Sequence, residues 1–110
     1  MKHIMLDIET MGNRSTSAII QIGAVQFDPY TGEVGGAFER NVDLTSAILK
    51  GCTVDEGTMK WWSGQSIEAQ RALATPTPIS LKSALRAFSY IVTTWSLTSA
   101  KISTQSGRSL

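Results

Sequence analysis

The chain has 110 residues, a net charge of +1 and a hydrophobic fraction of 42%, which together fit one small globular domain. Its apolar stretches are about as long as strands and well short of the roughly 18 residues that a membrane-spanning helix needs, so no membrane protein is expected. Asp7 and Glu9 interrupt the first apolar stretch, which excludes a secretion signal there, and the single Cys52 excludes an internal disulfide. We therefore expect a cytoplasmic protein.

Charge is unevenly distributed along the chain. Residues 1–68 hold all nine acids and five Lys or Arg, whereas residues 69–110 hold five Lys or Arg and no acid. A basic trailing half can follow a phosphate backbone, because Lys and Arg supply non-specific affinity for nucleic acid. A solvated surface explains the same pattern equally well, so charge alone does not identify a partner.

The first part of the chain predicts three strands. In residues 3–9 apolar positions alternate with others so that Asp7 and Glu9 project from the same face of a strand. Residues 18–27 are nearly all apolar, as in a strand covered on both faces, and should lie centrally. A loop containing proline and glycine follows, so residues 34–42 are expected to return as a third, antiparallel strand.

The pattern becomes helical after the third strand. Asp55 is placed to cap a short helix that carries Trp61 and Trp62, and Ser66 is placed to cap a second helix over residues 67–74. Aromatic faces can stack on bases, so the more exposed tryptophan is a candidate for substrate binding. Packing inside the protein is the simpler interpretation of the pair.

The last part of the chain predicts one more helix and then a loss of pattern. Residues 75–78, Thr-Pro-Thr-Pro, break the helical segment. Residues 80–92 have the apolar spacing of a helix that packs on a sheet. Seven of the 16 residues from 95 to 110 are Ser or Thr, and no periodicity continues there. We therefore expect a folded region over residues 1–92 and a disordered tail over residues 93–110.

The chemistry of the chain depends on Asp7 and Glu9. Two carboxylates at positions i and i+2 on one strand face repel each other unless a cation or a shared proton compensates. Oxygen ligands suit Mg²⁺ or Mn²⁺, and two such ions roughly 4 Å apart can stabilise the attacking and the leaving oxygen of a phosphodiester displacement. The alternative is that both acids only solvate the end of a strand, and spacing alone favours that alternative.

Three segments carry a resemblance to a known family. They are L-D-I-E-T-M-G (residues 6–12), I-I-Q-I-G-A-V (residues 19–25) and the P-Y-T-G hairpin. Together they resemble the opening of DnaQ-like 3′→5′ exonucleases, and look closest to the phage- and prophage-type branch, the exodeoxyribonuclease VIII-like proteins. The resemblance covers residues 1–92. It implies the N-terminal part of a ribonuclease-H-like α/β fold, that is, an α+β fragment in which a three-stranded antiparallel meander is joined by helices.

The same resemblance implies a function and a set of site residues. The expected reaction is metal-dependent hydrolysis at single-stranded nucleic-acid 3′ ends, with DNA favoured over RNA. By this resemblance Asp7 and Glu9 hold two Mg²⁺ or Mn²⁺ ions. The first motif also implies that Thr10, Met11 and Gly12 contact the substrate. The T-M-K-W-W-S-G-Q-S segment (residues 58–66) resembles the same branch, and by that resemblance Trp61 and Trp62 are substrate-binding residues.

The chain departs from the family pattern in its second half. The family completes its site with an Asp on a later helix, a His or Tyr that activates water, and a last Asp, whereas no acid follows Glu68 here and the only histidine is His3. We therefore expect a truncated chain with little or no activity alone and an unpaired edge on its first strand. The alternatives are a non-catalytic remnant or nucleic-acid-binding stub, and a small module that dimerises through that edge.

Overall fold

A mixed four-stranded sheet forms the centre of the protein, which the computed structural model describes over residues 3–97 and 101–106. The strands are β1 (His3–Thr10), β2 (Ile19–Phe27), β3 (Val34–Asn41) and β4 (Lys101–Ser106). They lie side by side in the order β3-β2-β1-β4. The pairs β1–β2 and β2–β3 are antiparallel, which confirms the predicted meander, whereas β4 is parallel to β1.

The loop between β2 and β3 is held by its own side chains. Asp28 Oδ1 accepts hydrogen bonds from the backbone N–H groups of Tyr30, at 2.8 Å, and Thr31, at 3.4 Å. Gly32 has a φ of +74°, a left-handed conformation that side chains disfavour. The loop therefore reverses the chain at low cost and aligns β2 with β3.

In the described part of the chain, four helices connect and cover the strands. They are α1 (Leu44–Leu49), α2 (Glu56–Ser63), α3 (Ile67–Ala72) and α4 (Leu81–Ser96). Each begins after a residue whose side chain accepts a hydrogen bond from a backbone N–H of the first turn, and these caps are Asp43, Asp55, Ser66 and Ser80. The sequence predicted α2, α3 and α4 but not α1. Among the described residues, no helix is both long enough and apolar enough to cross a bilayer.

The core lies between one face of the sheet and helix α4. Ile4 is fully buried, and Ile22 is 2% exposed on the neighbouring strand. Phe38 of β3 meets Phe88 of α4 with ring centroids 5.9 Å apart. Trp95, near the end of α4, is also buried. One sheet face is therefore covered by α4, and the side chains that point to the opposite face lie outside this core.

The structure differs from two predictions about the end of the chain. Within the range 93–110, which was expected to be disordered, α4 continues to Ser96 and β4 occupies Lys101–Ser106, while residues 98–100 and 107–110 lie outside the described residues. β1 was expected to have an unpaired edge, but β4 pairs with it from the register His3 with Lys101 to Ile8 with Ser106. A polar segment can form a strand because backbone hydrogen bonds to an apolar neighbour outweigh its weak intrinsic pattern. The edge proposed for dimerisation is therefore occupied within the chain.

Candidate metal and nucleic-acid site

The strand β1 presents its two acids on the face of the sheet that α4 does not cover. Asp7 is paired across the antiparallel ladder with Gly23 of β2, and Glu9 with Gln21. Side chains alternate along a strand, so Asp7 and Glu9 point to the face opposite the buried Ile4. Asp7 is exposed and Glu9 is half-buried. The predicted pair of carboxylates therefore shares one face at the end of β1.

An open groove of about 340 Å³ lies on this face. It is lined by residues of the three antiparallel strands, among them Met5, Asp7, Gln21, Gly23, Val25 and Glu39. Gly23 has no side chain, and a Cβ placed there would meet only the backbone oxygen of Asp7, at 3.6 Å. The space beside the Asp7 carboxylate is therefore open to a molecule from solvent.

The segment after β1 is folded tightly against the start of α2. Thr10 Oγ1 donates to the Gly12 carbonyl oxygen at 2.6 Å, and the Asp55 backbone N–H donates to the Met11 oxygen at 2.6 Å. A Cβ at Gly12 would collide with Ser17 Oγ, so a larger residue there would force the Ser17 side chain to move. The structure thus explains the conformation of residues 10–12, while their contact with substrate stays a prediction.

Asp55 fixes this junction electrostatically. Its carboxylate accepts hydrogen bonds from the Thr58 backbone N–H at 2.8 Å and the Thr58 hydroxyl at 2.9 Å. These two bonds, in that order of effect, hold the pKa of Asp55 below its ordinary value of 3.8, and the nearby Arg14 charge lowers the pKa further, against a small opposing effect of burial. The ionised carboxylate therefore contributes to the stability of this junction.

The pKa of Asp55 predicts how stability depends on pH. Because its pKa is lower in the folded than in the unfolded chain, the contribution is fully present above pH 3.8 and is lost as pH falls through the folded-state pKa. Urea unfolding of the native chain and of Asp55→Asn should show a free-energy difference that shrinks below pH 3.8. Asparagine keeps a capping oxygen but does not titrate, so a difference independent of pH would contradict this assignment.

The two tryptophans form an edge-to-face pair on α2. The ring centroids of Trp61 and Trp62 are 5.0 Å apart and the rings are inclined at 82°. Both side chains are half-buried, and Trp62 Nε1 is buried without a hydrogen-bond partner. The groove beside Asp7 is lined by strand residues, so the tryptophans lie outside it. Their partial burial agrees with a packing role and leaves part of each ring accessible.

The residues present fit a divalent metal only in part. Within residues 3–97 and 101–106, no group of three or more His, Cys, Asp or Glu side chains is arranged to hold an ion. Asp7 and Glu9 nevertheless supply two carboxylates on one face, and Mg²⁺ is commonly bound by one or two carboxylates together with substrate phosphates and water. The pair therefore suits a site whose coordination the substrate completes.

The only histidine lies away from this pair. His3 is at the opposite end of β1, and its ring contacts Phe27 with centroids 5.6 Å apart. It is too far along the strand to act on a molecule held beside Asp7 and Glu9, since each residue of a strand advances about 3.3 Å. The general base that the exonuclease resemblance implies is therefore not provided by His3.

Comparison with known proteins identifies the family. The model of the family described as the 3'-5' exoribonuclease Rv2179c-like domain matches residues 2–107, and the chain belongs to this family. The predicted likeness to 3′→5′ exonucleases is thus confirmed at this coarser level. No curated protein matches the chain.

A solved nuclease structure shares the fold. Cell-death related nuclease 4 (CRN-4) has a TM-score of 0.50 and 13% sequence identity, with 96% of this chain and 35% of that chain covered. A full-length 3'-exonuclease has a TM-score of 0.49 and 12% identity, with 94% and 44% covered. The chain thus spans less than half the length of either protein. At this identity the similarity to cell-death related nuclease 4 shows the fold alone.

Proposed function

We propose that this protein is a metal-dependent 3′→5′ exonuclease domain that removes nucleotides from the 3′ end of a nucleic acid. The observation that carries the proposal is the placement of Asp7 and Glu9 on the face of β1 that α4 does not cover, in a chain that belongs to an exonuclease family. Two acids on one strand face repel each other, and a bound cation relieves that repulsion. The wall of the groove is open beside Asp7, where a phosphodiester would lie.

Asp7 and Glu9 would hold one or two Mg²⁺ or Mn²⁺ ions. When bound, such an ion lowers the pKa of water and stabilises negative charge on phosphate oxygens. Because Asp7 is exposed, its carboxylate would hold such an ion where water and substrate can reach it, and Gly23 leaves room for the substrate beside Asp7. The contribution of the protein is then to keep both carboxylates on a rigid interior strand.

The remaining predicted residues serve substrate binding in this proposal. Thr10, Met11 and Gly12 directly follow the acidic pair, where the terminal nucleotide would be held. The accessible parts of Trp61 and Trp62 would stack on bases further along the strand, for roughly 1–3 kcal/mol per base. The family description supports RNA as the substrate, whereas the motif resemblance predicts DNA and the prophage-type branch.

The proposal predicts slow, metal-dependent shortening from one end. We would incubate the full chain with 5′-labelled RNA and DNA of one sequence, with Mn²⁺ or Mg²⁺, and resolve the products by length. Successive loss of single nucleotides from the 3′ end is expected, and EDTA should stop it. The rate should be low because Asp7 and Glu9 are not joined by further metal-binding side chains in a group of three or more among the described residues. Internal cleavage, or shortening that survives EDTA, would contradict the proposal.

A second candidate function is metal-assisted binding of nucleic acid without hydrolysis. The small number of acidic ligands among the described residues favours it, and so does the basic composition of residues 69–110. The same assay separates the two candidates. A chain that binds the labelled oligonucleotide in Mn²⁺ but does not shorten it over many hours would be a binding protein.

A further inference from the structure

A row of amide side chains crosses the sheet beside Glu9. Glu9, Gln21 and Asn41 are in register on three adjacent strands. Gln21 Nε2 donates to Asn41 Oδ1 at 2.9 Å, to Glu39 Oε1 at 3.2 Å and to the Ala72 carbonyl oxygen at 3.2 Å. The amide of Gln21 is therefore directed away from β1, towards β3 and the end of α3.

Asn41 fixes the orientation of this row. Its side chain is fully buried, and its Nδ2 donates to the carbonyl oxygens of Ala72 at 3.0 Å and Pro76 at 2.8 Å. Carbonyl oxygens only accept, so the nitrogen of Asn41 must face them and its oxygen must face Gln21. Gln21 must therefore direct its side-chain nitrogen, rather than its oxygen, towards Asn41 Oδ1 and the Ala72 carbonyl oxygen. The orientation of both amides is thus determined by backbone groups.

Gln21 and Asn41 bind helix α3 through the carbonyl oxygen of Ala72. Ala72 is the last residue of α3, and terminal helix carbonyls have no partner within their own helix. Gln21 and Asn41 both supply that partner from the sheet. Within α3, Gln70 links the helix to the end of α2: its Nε2 donates to the carbonyl oxygens of Ser63 at 3.1 Å and Gln65 at 3.2 Å.

These contacts form a continuous connection to the tryptophans from Gln21 of β2, which is paired with Glu9 of β1 in the sheet. Gln65 Nε2 completes it by donating to the Trp61 carbonyl oxygen at 3.1 Å. We infer that Gln21 is a positioning residue, which acts through the Ala72 carbonyl and α3 to set the place of the Trp61–Trp62 pair relative to Asp7 and Glu9. The inference rests on the proposed function, because it concerns how a nucleic-acid strand held by the tryptophans is aligned with the acidic pair.

The test compares the same substitution on two faces of one strand. Gln21→Met removes the donor and keeps the length of the side chain, whereas Gln26→Met is the matched control, since Gln26 lies on the opposite face and accepts from the Gly36 N–H. Gln70→Met breaks the connection at its exposed end and serves if Gln21→Met does not fold. The measurements are the Kd for a 3′-labelled oligonucleotide in Ca²⁺, Mn²⁺ affinity, and the indole N–H signals in ¹⁵N spectra.

Gln21→Met and Gln70→Met should each raise the oligonucleotide Kd about tenfold, as expected for a lost stacking contact. They should shift the indole signals of Trp61 and Trp62 and leave Mn²⁺ affinity within about twofold. Gln26→Met should leave the Kd unchanged and shift only the indole signal of Trp95. The Gln26 amide and the Trp95 ring share the space above Gly36. If Gln21 had only a structural role, Gln21→Met would lower the stability of the chain, but it would not change the oligonucleotide Kd and the Trp61 and Trp62 signals while leaving Mn²⁺ affinity unchanged.

Failure of the inference differs from failure of the proposed function. If Gln21→Met keeps both the Kd and the two indole signals of the native chain, the positioning role is overturned while the exonuclease proposal stands. If the native chain binds the oligonucleotide but never shortens it, the exonuclease proposal fails and the Kd comparison still decides the role of Gln21. A native chain that does not bind the oligonucleotide overturns both.

Discussion

Replacing Asp7 by asparagine is expected to lower Mn²⁺ affinity by about tenfold to a hundredfold and to reduce any metal-dependent shortening at least about a hundredfold. Asp7→Asn keeps the size of the side chain and one oxygen but removes the charge that balances the ion. Asp7 is exposed, so water screens part of the effect on binding. Isothermal titration calorimetry with Mn²⁺ and the product-length assay would measure the two quantities.

Asp28→Asn is the matched control for the charge change. Asp28 lies beyond the end of β1 at which His3 pairs with Phe27, roughly 13 Å or more along the strand from Asp7. Asparagine can still accept the two loop hydrogen bonds through its oxygen. Equal loss of Mn²⁺ affinity in both variants would show that general charge, rather than a site at Asp7, attracts the ion.

Trp95→Ala should cause the largest loss of stability, about 3–5 kcal/mol of unfolding free energy, because it removes a large buried side chain and leaves a cavity. Trp95 is 8% exposed and belongs to the core cluster between α4 and the sheet. Its ring packs over Gly36 of β3, where an added Cβ would lie 3.2 Å from Trp95 Cζ2. Urea unfolding followed by circular dichroism would measure the change.

Tyr90→Ala provides the comparison on the same helix. Tyr90 is 74% exposed, so its removal should change the free energy of unfolding by about 0.5 kcal/mol or less. If both aromatic substitutions destabilise the chain equally, α4 does not pack on the sheet through Trp95. A small effect of Trp95→Ala would have the same meaning.

The strands and most helices could be predicted because each has a local signal. Alternation set the faces of β1, the loop composition set the β2–β3 hairpin, capping residues set the starts of α2 and α3, and apolar spacing indicated α4. Helix α1 has only six residues, too few for a clear apolar period, although Asp43 caps it. β4 escaped prediction for a different reason: its pairing partner, β1, is nearly the whole described chain away.

The site could be predicted only as far as it depends on one strand. Spacing placed Asp7 and Glu9 on a common face, and the strand β1 has that arrangement. The amide row of Gln21 and Asn41 was not predicted, because the link to Ala72 joins residues 51 and 31 positions apart in sequence. The I-I-Q-I-G run gave one available signal, a polar residue within an otherwise apolar strand, since such a side chain needs a partner.

The parallel pairing of β1 with β4 has a consequence for how the chain folds. His3 and Lys101 are brought side by side although nearly all of the described residues lie between them. Closing so long a loop costs entropy, and contacts formed early in folding do not offset that cost. This pairing should therefore form late, and it raises the contact order of the domain. During synthesis, the strand that bears both acids would gain its second neighbour only after residues 101–106 had left the ribosome.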